Sequence, residues 1–568
     1  MPAIVDTTAT GDARIDGILH EDHWAVTALT FSFPSALSNF ADAYDEVRGF
    51  QVLNAAQKSA ARAALAEVSA FTPLVFTEVT ETDTAHGAIR FAQATGRTYT
   101  SGGNVIDREI TTATAFNPSA TERGGDIFFH PDKYDAPALN NFSWLTFFHE
   151  TGHALGLEHA HENTDFGQVP AAWDAIEFTI LSYRDYPGAA VGNSRAEANS
   201  YPQGFMMLDI AALQHIYGAN YATRAGNDTY SFDPGAPLIL ETIWDGGGAD
   251  TYSFAGYATN LQIDLEPGSW SNTNAGQNAH LNARSSGTDP AYAKGNVYNA
   301  LLHDDDPRSL IERAIGGSGD DIIAGNRADN RLEGRAGVDA LIGRDGNDVL
   351  IGGVNPATGG DLMFGGAGND TYYVDSALDF VDEGIFTTEY GFGGFDTIVS
   401  TADFFWDVHS AGDLLRIAET VVDPEGDGAT LVGGVFDNTL VGHSGTDILF
   451  GRGGSDTYRG GDGVDFISLS TLGVTDAGAY VANGVNTVVV EARSTGTFSY
   501  DIVFEFEPGR DKLDVSDFGY GSVAEVRARG HDDGAGNCYF ALGDGLDYLY
   551  IVGAVLSEIR DADFTLGG

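Results

Sequence analysis

The sequence predicts a multidomain chain. A mixed α/β (α+β) domain comes first, and an all-β parallel roll with a C-terminal β cap follows it. Three observations carry this reading. Residues 21–222 alternate helical and strand periodicities. From residue 316, glycine and aspartate recur every nine residues. After about Ser470 that repeat stops, but apolar strand-like runs continue at 488–492 and 500–506. A chain of 568 residues is also too long for one ordinary domain.

Taken in order, residues 1–20 read as a loose leader or short propeptide. They contain no apolar run and no basic start, so they are not a standard secretory signal. A strand follows at 28–33, bounded by Pro34. Ala, Leu and Val at helical spacing predict a helix over 54–69. Strands are expected at 74–79, 88–91, 112–116 and 126–129. A helix then spans the residues before 155, and a last helix covers 208–217. The first domain closes near Tyr221, which sets its boundary at 222/223.

The most specific signal sits on the penultimate helix. Residues 149–159 read His-Glu-Thr-Gly-His-Ala-Leu-Gly-Leu-Glu-His. His149 and His153 lie one turn apart on one face, so both imidazoles reach a single ion. Glu150 projects beside that ion, where it can take a proton from water. Gly156 lets the backbone leave the helix through a left-handed turn. The chain then doubles back and delivers His159. Three protein ligands and one open position mark a catalytic zinc rather than a structural one. His161 lies outside the spacing and reads as a surface or supporting residue. Trp144, Leu145, Phe147 and Phe148 would pack this helix into a core with or without metal.

Composition narrows the partners. The net charge is −53, from 82 acidic and 29 basic residues. Phosphates would be repelled, so simple nucleic-acid binding is excluded. Such acidity needs counter-cations, or the compact state repels itself. The 73 glycines are not a sign of disorder, because 43% of residues are apolar. Cys538 is the one cysteine, so no intrachain disulfide can form. No stretch is apolar enough to span a membrane.

The region 223–470 is dominated by the repeat, in arrays at 316–373 and 433–468. Blocks begin at Gly316, Gly325, Gly334, Gly343, Gly352 (with four extra residues) and Gly365, then at Gly433, Gly442, Gly451 and Gly460. The consensus G-G-x-G-x-D-x-U-x, with U apolar, is the calcium-binding β-roll pattern. Its carboxylates are Asp321, Asp339, Asp348, Asp361, Asp370, Asp447, Asp456 and Asp465, and with the glycine carbonyls they supply the oxygens calcium prefers. Two units complete a coil, so units on one side lie 18 residues apart: Asp321 pairs with Asp339 and Asp447 with Asp465. Asp339 with Asp361 and Asp348 with Asp370 fit once the insertion is counted. Asn330 and Asn438 replace aspartate, which predicts weaker or absent sites there. Residues 471–568 read as a closing β domain.

At this point the chain resembles the serralysins, secreted zinc metalloproteases of the metzincin group. The resemblance rests on the zinc helix, on Ile15-Asp16-Gly17-Ile18-Leu19, on Leu208-Asp209-Ile210-Ala211-Ala212-Leu213-Gln214, on Ile243-Trp244-Asp245-Gly246-Gly247-Gly248-Ala249-Asp250-Thr251 and on Asp511-Lys512-Leu513-Asp514. It implies zinc on His149, His153 and His159, with Glu150 as general base. Tyr183 would ligate zinc at rest and stabilise an oxyanion during the reaction. A first calcium loop would use Arg224, Gly226, Asp228, Asp245, Gly247, Gly248 and Asp250, and Glu312 would be a later calcium ligand. The segment 112–116 would be the edge strand that pairs with an extended peptide. One position departs from the family: Leu181 stands where a methionine forms the apolar floor beneath the metal.

The expected function is calcium-dependent zinc endopeptidase activity outside the cell, on protein or peptide substrates. The resemblance also implies export by a one-step (type I) machinery that reads the far C-terminus, a proteinaceous inhibitor as a further partner, and a monomer. Two other readings stay open: a catalytically weak repeat protein of the adhesin kind, favoured by Leu181, and hydrolysis of another amide.

Overall fold

The computed structural model describes every residue except 1, 41–42, 83–85, 193–195, 274–275, 283–290, 357–358, 377, 383–394, 401–403, 406–417, 423–429, 434–436, 443, 452–453, 470–483, 493–498, 544 and 568. Much of the stretch between the two repeat arrays therefore lies outside the described residues. Contacts divide the chain into two compact units. One is Met1–Gly256 with Leu261–Ile311, and the other is Tyr257–Asn260 with Glu312–Gly568.

The first unit begins with strand β1 (Ile4–Asp6), helix α1 (Ala13–Asp16) and strand β2 (Asp22–Trp24). The segment read as a leader or short propeptide carries the first two of these elements. β1 pairs antiparallel with β2, Asp12 caps α1, and Ile18 and Leu19 are fully buried. The apolar side chains of Ile15, Ile18 and Leu19 give this segment a face to bury, which its Thr- and Asp-rich composition obscures.

The central sheet holds β3 (Ala28–Ser32), β5 (Val75–Glu78), β6 (Ile89–Gln93), β9 (Ala113–Ala115) and β10 (Asp126–Phe129), in the order β5-β3-β6-β10-β9. Pairing is parallel except at β9, which runs antiparallel to β10 and forms an edge. Helix α2 (Ala55–Phe71) starts at a capping box: Gln57 N donates to Asn54 Oδ1 at 3.0 Å, and Asn54 N donates to Gln57 Oε1 at 2.8 Å. Its Ala60, Ala61, Ala64, Leu65, Val68 and Phe71 are buried. A second sheet that the periodicity did not reveal joins β4 (Glu46–Arg48), β7 (Gly96–Ser101) and β8 (Asn104–Glu109). Helices α3 (Phe142–Ala154) and α4 (Met207–Tyr217) complete the part that builds the site.

The two compact units follow a different line from the domain boundary expected at 222/223. Residues 223–256 and 261–311 group with the first unit, because Leu240, Trp244 and Tyr298 sit in the same buried cluster as Phe178 and Met206.

The second unit is a roll of short parallel strands. Arg331–Ala336, Val349–Val354 and Thr371–Val374 stack on one side, and Ile322–Ala324, Ala340–Asp345 and Leu362–Ala367 on the other. The register advances by one coil at a time: Arg331 faces Val349, and Val349 faces Thr371. Ile323, Leu332, Leu341, Leu350, Met363 and Tyr372 are fully buried, so the apolar position of each repeat fills the interior. Glycine opens each repeat for a steric reason. A Cβ on Gly334 would lie 2.7 Å from the carbonyl oxygen of Gly352 in the next coil. The roll ends in an antiparallel cap, where Cys538–Leu542 pairs with Gly530–Asp532 and Asp547–Val552.

Candidate metal centre and cleft

Helix α3 carries the centre. Asn141 caps it, accepting from Trp144 N at 2.8 Å, and every residue from Leu145 to Ala154 is buried. Phe147 stacks on Phe129 of β10 with ring centroids 4.0 Å apart. At the far end Trp24 Nε1 donates to the Ala154 carbonyl at 2.9 Å, and Tyr217 OH donates to the Leu155 carbonyl at 2.7 Å. These bonds satisfy carbonyls that the helix itself leaves open. Gly156 then adopts φ +103°, and the chain turns back as the zinc-motif spacing requires. The returning segment is held between two neighbours. Glu158 N donates to the Ile18 carbonyl at 2.8 Å, and Ala160 N donates to the Leu181 carbonyl at 3.3 Å. The leader thus helps position His159.

The three imidazoles converge. His153 Nε2 lies 3.1 Å from His149 Nε2 and 3.0 Å from His159 Nε2. His149 Nδ1 is 2.7 Å from the Ile180 carbonyl, and His153 Nδ1 is 2.7 Å from the Leu157 carbonyl. Those carbonyls can only accept, so both Nδ1 atoms carry hydrogen and both Nε2 atoms present lone pairs. His159 Nδ1 lies 3.3 Å from Glu162 Oε1. Burial lowers the pKa of His149 to about 4 and of His153 to about 3, and lowers that of His159 further. Neutral imidazoles with lone pairs aimed at one point repel unless a cation sits among them, so the residues fit a zinc ion.

Glu150 Oε2 is buried without a hydrogen-bond partner in the same space. Burial pushes its carboxyl up to about 8, against the attraction of the Arg97 guanidinium. A divalent cation among the histidines would pull it back down. Arg97 is itself buried on β7, its guanidinium 4.7 Å from the centre of the Phe116 ring and 5.7 Å from that of Phe128, and it donates to Thr114 Oγ1 at 3.3 Å. Nothing in the spacing of the sequence pointed to it. Tyr183 is 42% exposed, and its ring centroid lies 4.3 Å from that of His159 and 5.7 Å from that of His149. Burial first, then the charges of Glu150 and Glu162, push its hydroxyl up to about 12, so it is a proton holder at neutral pH.

Leu181 is fully buried, and its Cδ2 is the nearest atom (3.2 Å) to where a Cβ on Gly152 would stand. Gly152 lies between the two helical histidines, so Leu181 forms the apolar floor under them. Its turn is fixed by Asp209 on α4, which accepts from Thr179 Oγ1 at 2.6 Å and from the backbone N–H groups of Ile180 and Met206, both at 2.9 Å. Leu181→Met exchanges side chains of similar volume and should cost less than about 1.5 kcal/mol. Turnover of the variant is expected within about tenfold of the parent, set by that cost. A gain of several orders of magnitude in a casein assay would show instead that leucine has disabled the centre.

The calcium residues named from sequence fall into two groups. In the first unit Asp228, Asp245 and Asp250 bring carboxylate oxygens within 4.8 Å of one another, and Asp245 and Asp250 are buried. Tyr230 OH donates to Asp245 Oδ2 at 2.6 Å, Gly247 N to Asp245 Oδ1 at 2.7 Å, and Asp228 N to Asp250 Oδ1 at 2.7 Å. Gly247 and Gly248 form the turn between these carboxylates. Arg224 has φ +50°, and Gly226 abuts Gly248. Three clustered carboxylates amid backbone fit a hard divalent cation. Glu312 is not part of this cluster. It belongs to the second unit, where its backbone carbonyl accepts from Arg331 N at 2.8 Å.

In the roll the predicted aspartates form a ladder. Asp321 N donates to Asp339 Oδ1 at 2.7 Å, Asp339 N to Asp361 Oδ1 at 2.8 Å, and Asp348 N to Asp370 Oδ1 at 2.7 Å. In the second array Asp447 N donates to Asp465 Oδ1 at 2.9 Å and Asn438 N to Asp456 Oδ1 at 2.8 Å. The second oxygens of Asp339, Asp348, Asp370 and Asp465 are buried without a hydrogen-bond partner, which suits a cation. Asn330 sits in the ladder but turns its amide to the Glu312 carbonyl at 3.2 Å. The ladder also runs past the recognisable repeat, through Asp379, Asp396, Asn486 and Asp511.

Comparison with known proteins agrees with this layout. Residues 45–168 match the matrixin family of peptidase M10, residues 207–398 the peptidase M10 serralysin C terminal, and residues 432–467 the RTX calcium-binding nonapeptide repeat. Serralysin G of Dickeya chrysanthemi is 33% identical over 327 residues, which is 54% of this chain and 60% of that protein. Metallopeptidase AprA of Pseudomonas marginalis is 29% identical over 330 residues, 53% of this chain and 61% of that protein. Serralysin of Proteus mirabilis is 30% identical over 330 residues, 54% of this chain and 60% of that protein. The chain thus spans about three fifths of the length of these relatives. It carries a matrixin-type peptidase M10 domain, a serralysin C-terminal domain and RTX calcium-binding repeats, and it is homologous to the serralysins over about half its length.

Proposed function

We propose that this chain is a secreted, calcium-dependent zinc endopeptidase. The observation that carries the reading is the convergence of three imidazole Nε2 atoms on a space that also holds the buried, unpartnered Glu150 Oε2. When bound, zinc supplies Lewis acidity toward a scissile carbonyl and lowers the pKa of water. The chain's own groups do the rest. Glu150 Oε2 accepts the proton of the attacking water and returns it to the leaving amine. The Tyr183 hydroxyl donates a hydrogen bond to the developing oxyanion. The free edge of β9 offers backbone N–H and C=O groups to an extended peptide. The buried aspartates of the roll need calcium to be neutralised.

Export through a one-step machinery, a monomeric state and a proteinaceous inhibitor complete the proposal as partners implied by the resemblance. Among the described residues no helix is long and apolar enough to cross a membrane. The test is casein hydrolysis in calcium buffer, with and without a zinc chelator. Cleavage is expected, its loss in chelator, and its return with added zinc. Inactivity in zinc and calcium together would reject the reading and favour the adhesin alternative that Leu181 raises.

A further inference from the structure

Two cavities flank the metal centre, and their chemistry differs. One, about 580 Å³, is lined by His153, His159 and the chain from Ala113 to Ser119. The other, about 250 Å³, is lined by His149, Thr112 and Ala113. Both share Ala113, Glu150 and Tyr183; the first extends along the chain to Ser119 and the second to Thr112, so they follow one another along β9.

The larger cavity is acidic. Glu21, Asp22, Glu158 and Glu162 line it, and no Lys or Arg does so among the described residues. Glu158 accepts from Asn117 Nδ2 and lies 3.7 Å from His20 Nε2, so its carboxylate is held in place. The smaller cavity is mostly apolar, with Phe142, Leu145, Ile176 and Tyr201 among its walls. Glu150, whose Oε2 is buried and without a partner among the described residues, lines both.

Resting on the endopeptidase reading, we infer that the cleft selects cationic peptides. A basic side chain occupies the acidic cavity, and a large apolar side chain occupies the other, across the scissile bond. A peptide pairing antiparallel to β9 runs from the Phe116 end toward the Thr112 end. The basic residues then precede the scissile bond and the apolar residue follows it. The direction is chosen because antiparallel pairing is the more stable. The acidic balance of the chain, −53 before any cation binds, attracts cationic peptides to the protein.

The test uses three peptides that share one scissile bond followed by Leu and differ only in the pair of residues before it: Lys-Lys, Gln-Gln or Glu-Glu. The full-length protein is assayed in zinc and calcium buffer. The kcat/KM order should be Lys over Gln over Glu, with at least about tenfold between the extremes at low salt and less at high salt. E158Q combined with E162Q should shrink that ratio. Equal cleavage of the three, or preference for Glu, would overturn this inference while leaving the endopeptidase reading intact. Failure to cut any of them, or casein, would overturn both.

Discussion

Glu150→Gln is expected to lower kcat by about 10²–10⁴-fold, the usual share of a general base, and to leave zinc content unchanged. Glutamine keeps the volume and the helix propensity of the parent residue, so α3 should stay packed. No hydrogen bond to Oε2 would be orphaned, because that oxygen has no partner among the described residues. Its neighbours His149 and His153 keep their own anchors on the Ile180 and Leu157 carbonyls. What the substitution removes is the proton acceptor alone. Peptide turnover and metal analysis of the same purified sample check both halves. Turnover close to the parent would refute the role of Glu150, and lost zinc would show that it holds the metal instead.

The second large effect is on the roll without calcium. Burial pushes the carboxyls of Asp348 and Asp456 up to about 8, of Asp339, Asp370 and Asp465 to about 7, and of Asp361 to about 6. An unfolded aspartate titrates near 3.9. A group whose pKa rises on folding binds protons more tightly in the fold. Its contribution is therefore complete below about pH 4 and is lost as pH climbs through 6 to 8. Several such groups act together against a domain stability of only about 5–15 kcal/mol. In a calcium chelator the full-length protein should lose strand signal at pH 8 and regain it near pH 5. Millimolar calcium should restore it at pH 8. Circular dichroism across that range is the measurement, and a spectrum indifferent to both calcium and pH would refute the account.

Much of this was legible where one period governs many residues. The apolar position of each nonapeptide recurs strictly, so the interior column from Ile323 to Tyr372 could be read in advance. His149 and His153 share a helix face by spacing alone, and Gly156 announces the return of His159. Other features lack a period. The pairing of β1 with β2 could not be read from residues 1–24, where a few apolar residues sit among Thr and Asp without a period. The charge of Arg97 acts on Glu150 only because the small β4-β7-β8 sheet places it nearby. The ladder beyond the repeat was hidden because its steps lengthen: Asp370 to Asp396, Asp456 to Asn486 and Asn486 to Asp511 are separated by 26, 30 and 25 residues. The cavities flanking Glu150 depend on Phe142, Leu145 and Tyr201 meeting in space, which no local pattern encodes.

The buried ladder of the roll also has a polarity. In the rungs among the described residues the backbone N–H belongs to the earlier coil and the carboxylate or amide oxygen to the later one, as from Asp321 to Asp339 or from Asp447 to Asp465. The exposed rungs beside it run the other way, as from Val338 N to Asp320 Oδ1, but water can replace those. The main chain answers in the opposite sense: Ala340 N donates to the Asp321 carbonyl and Phe466 N to the Asp447 carbonyl, both at 2.8 Å. Neighbouring coils therefore exchange bonds in both directions, and removing a coil from either end strands an inner N–H, each such group costing about 1–3 kcal/mol. Order in this roll is thus held jointly, each coil finished by the neighbours on both of its sides.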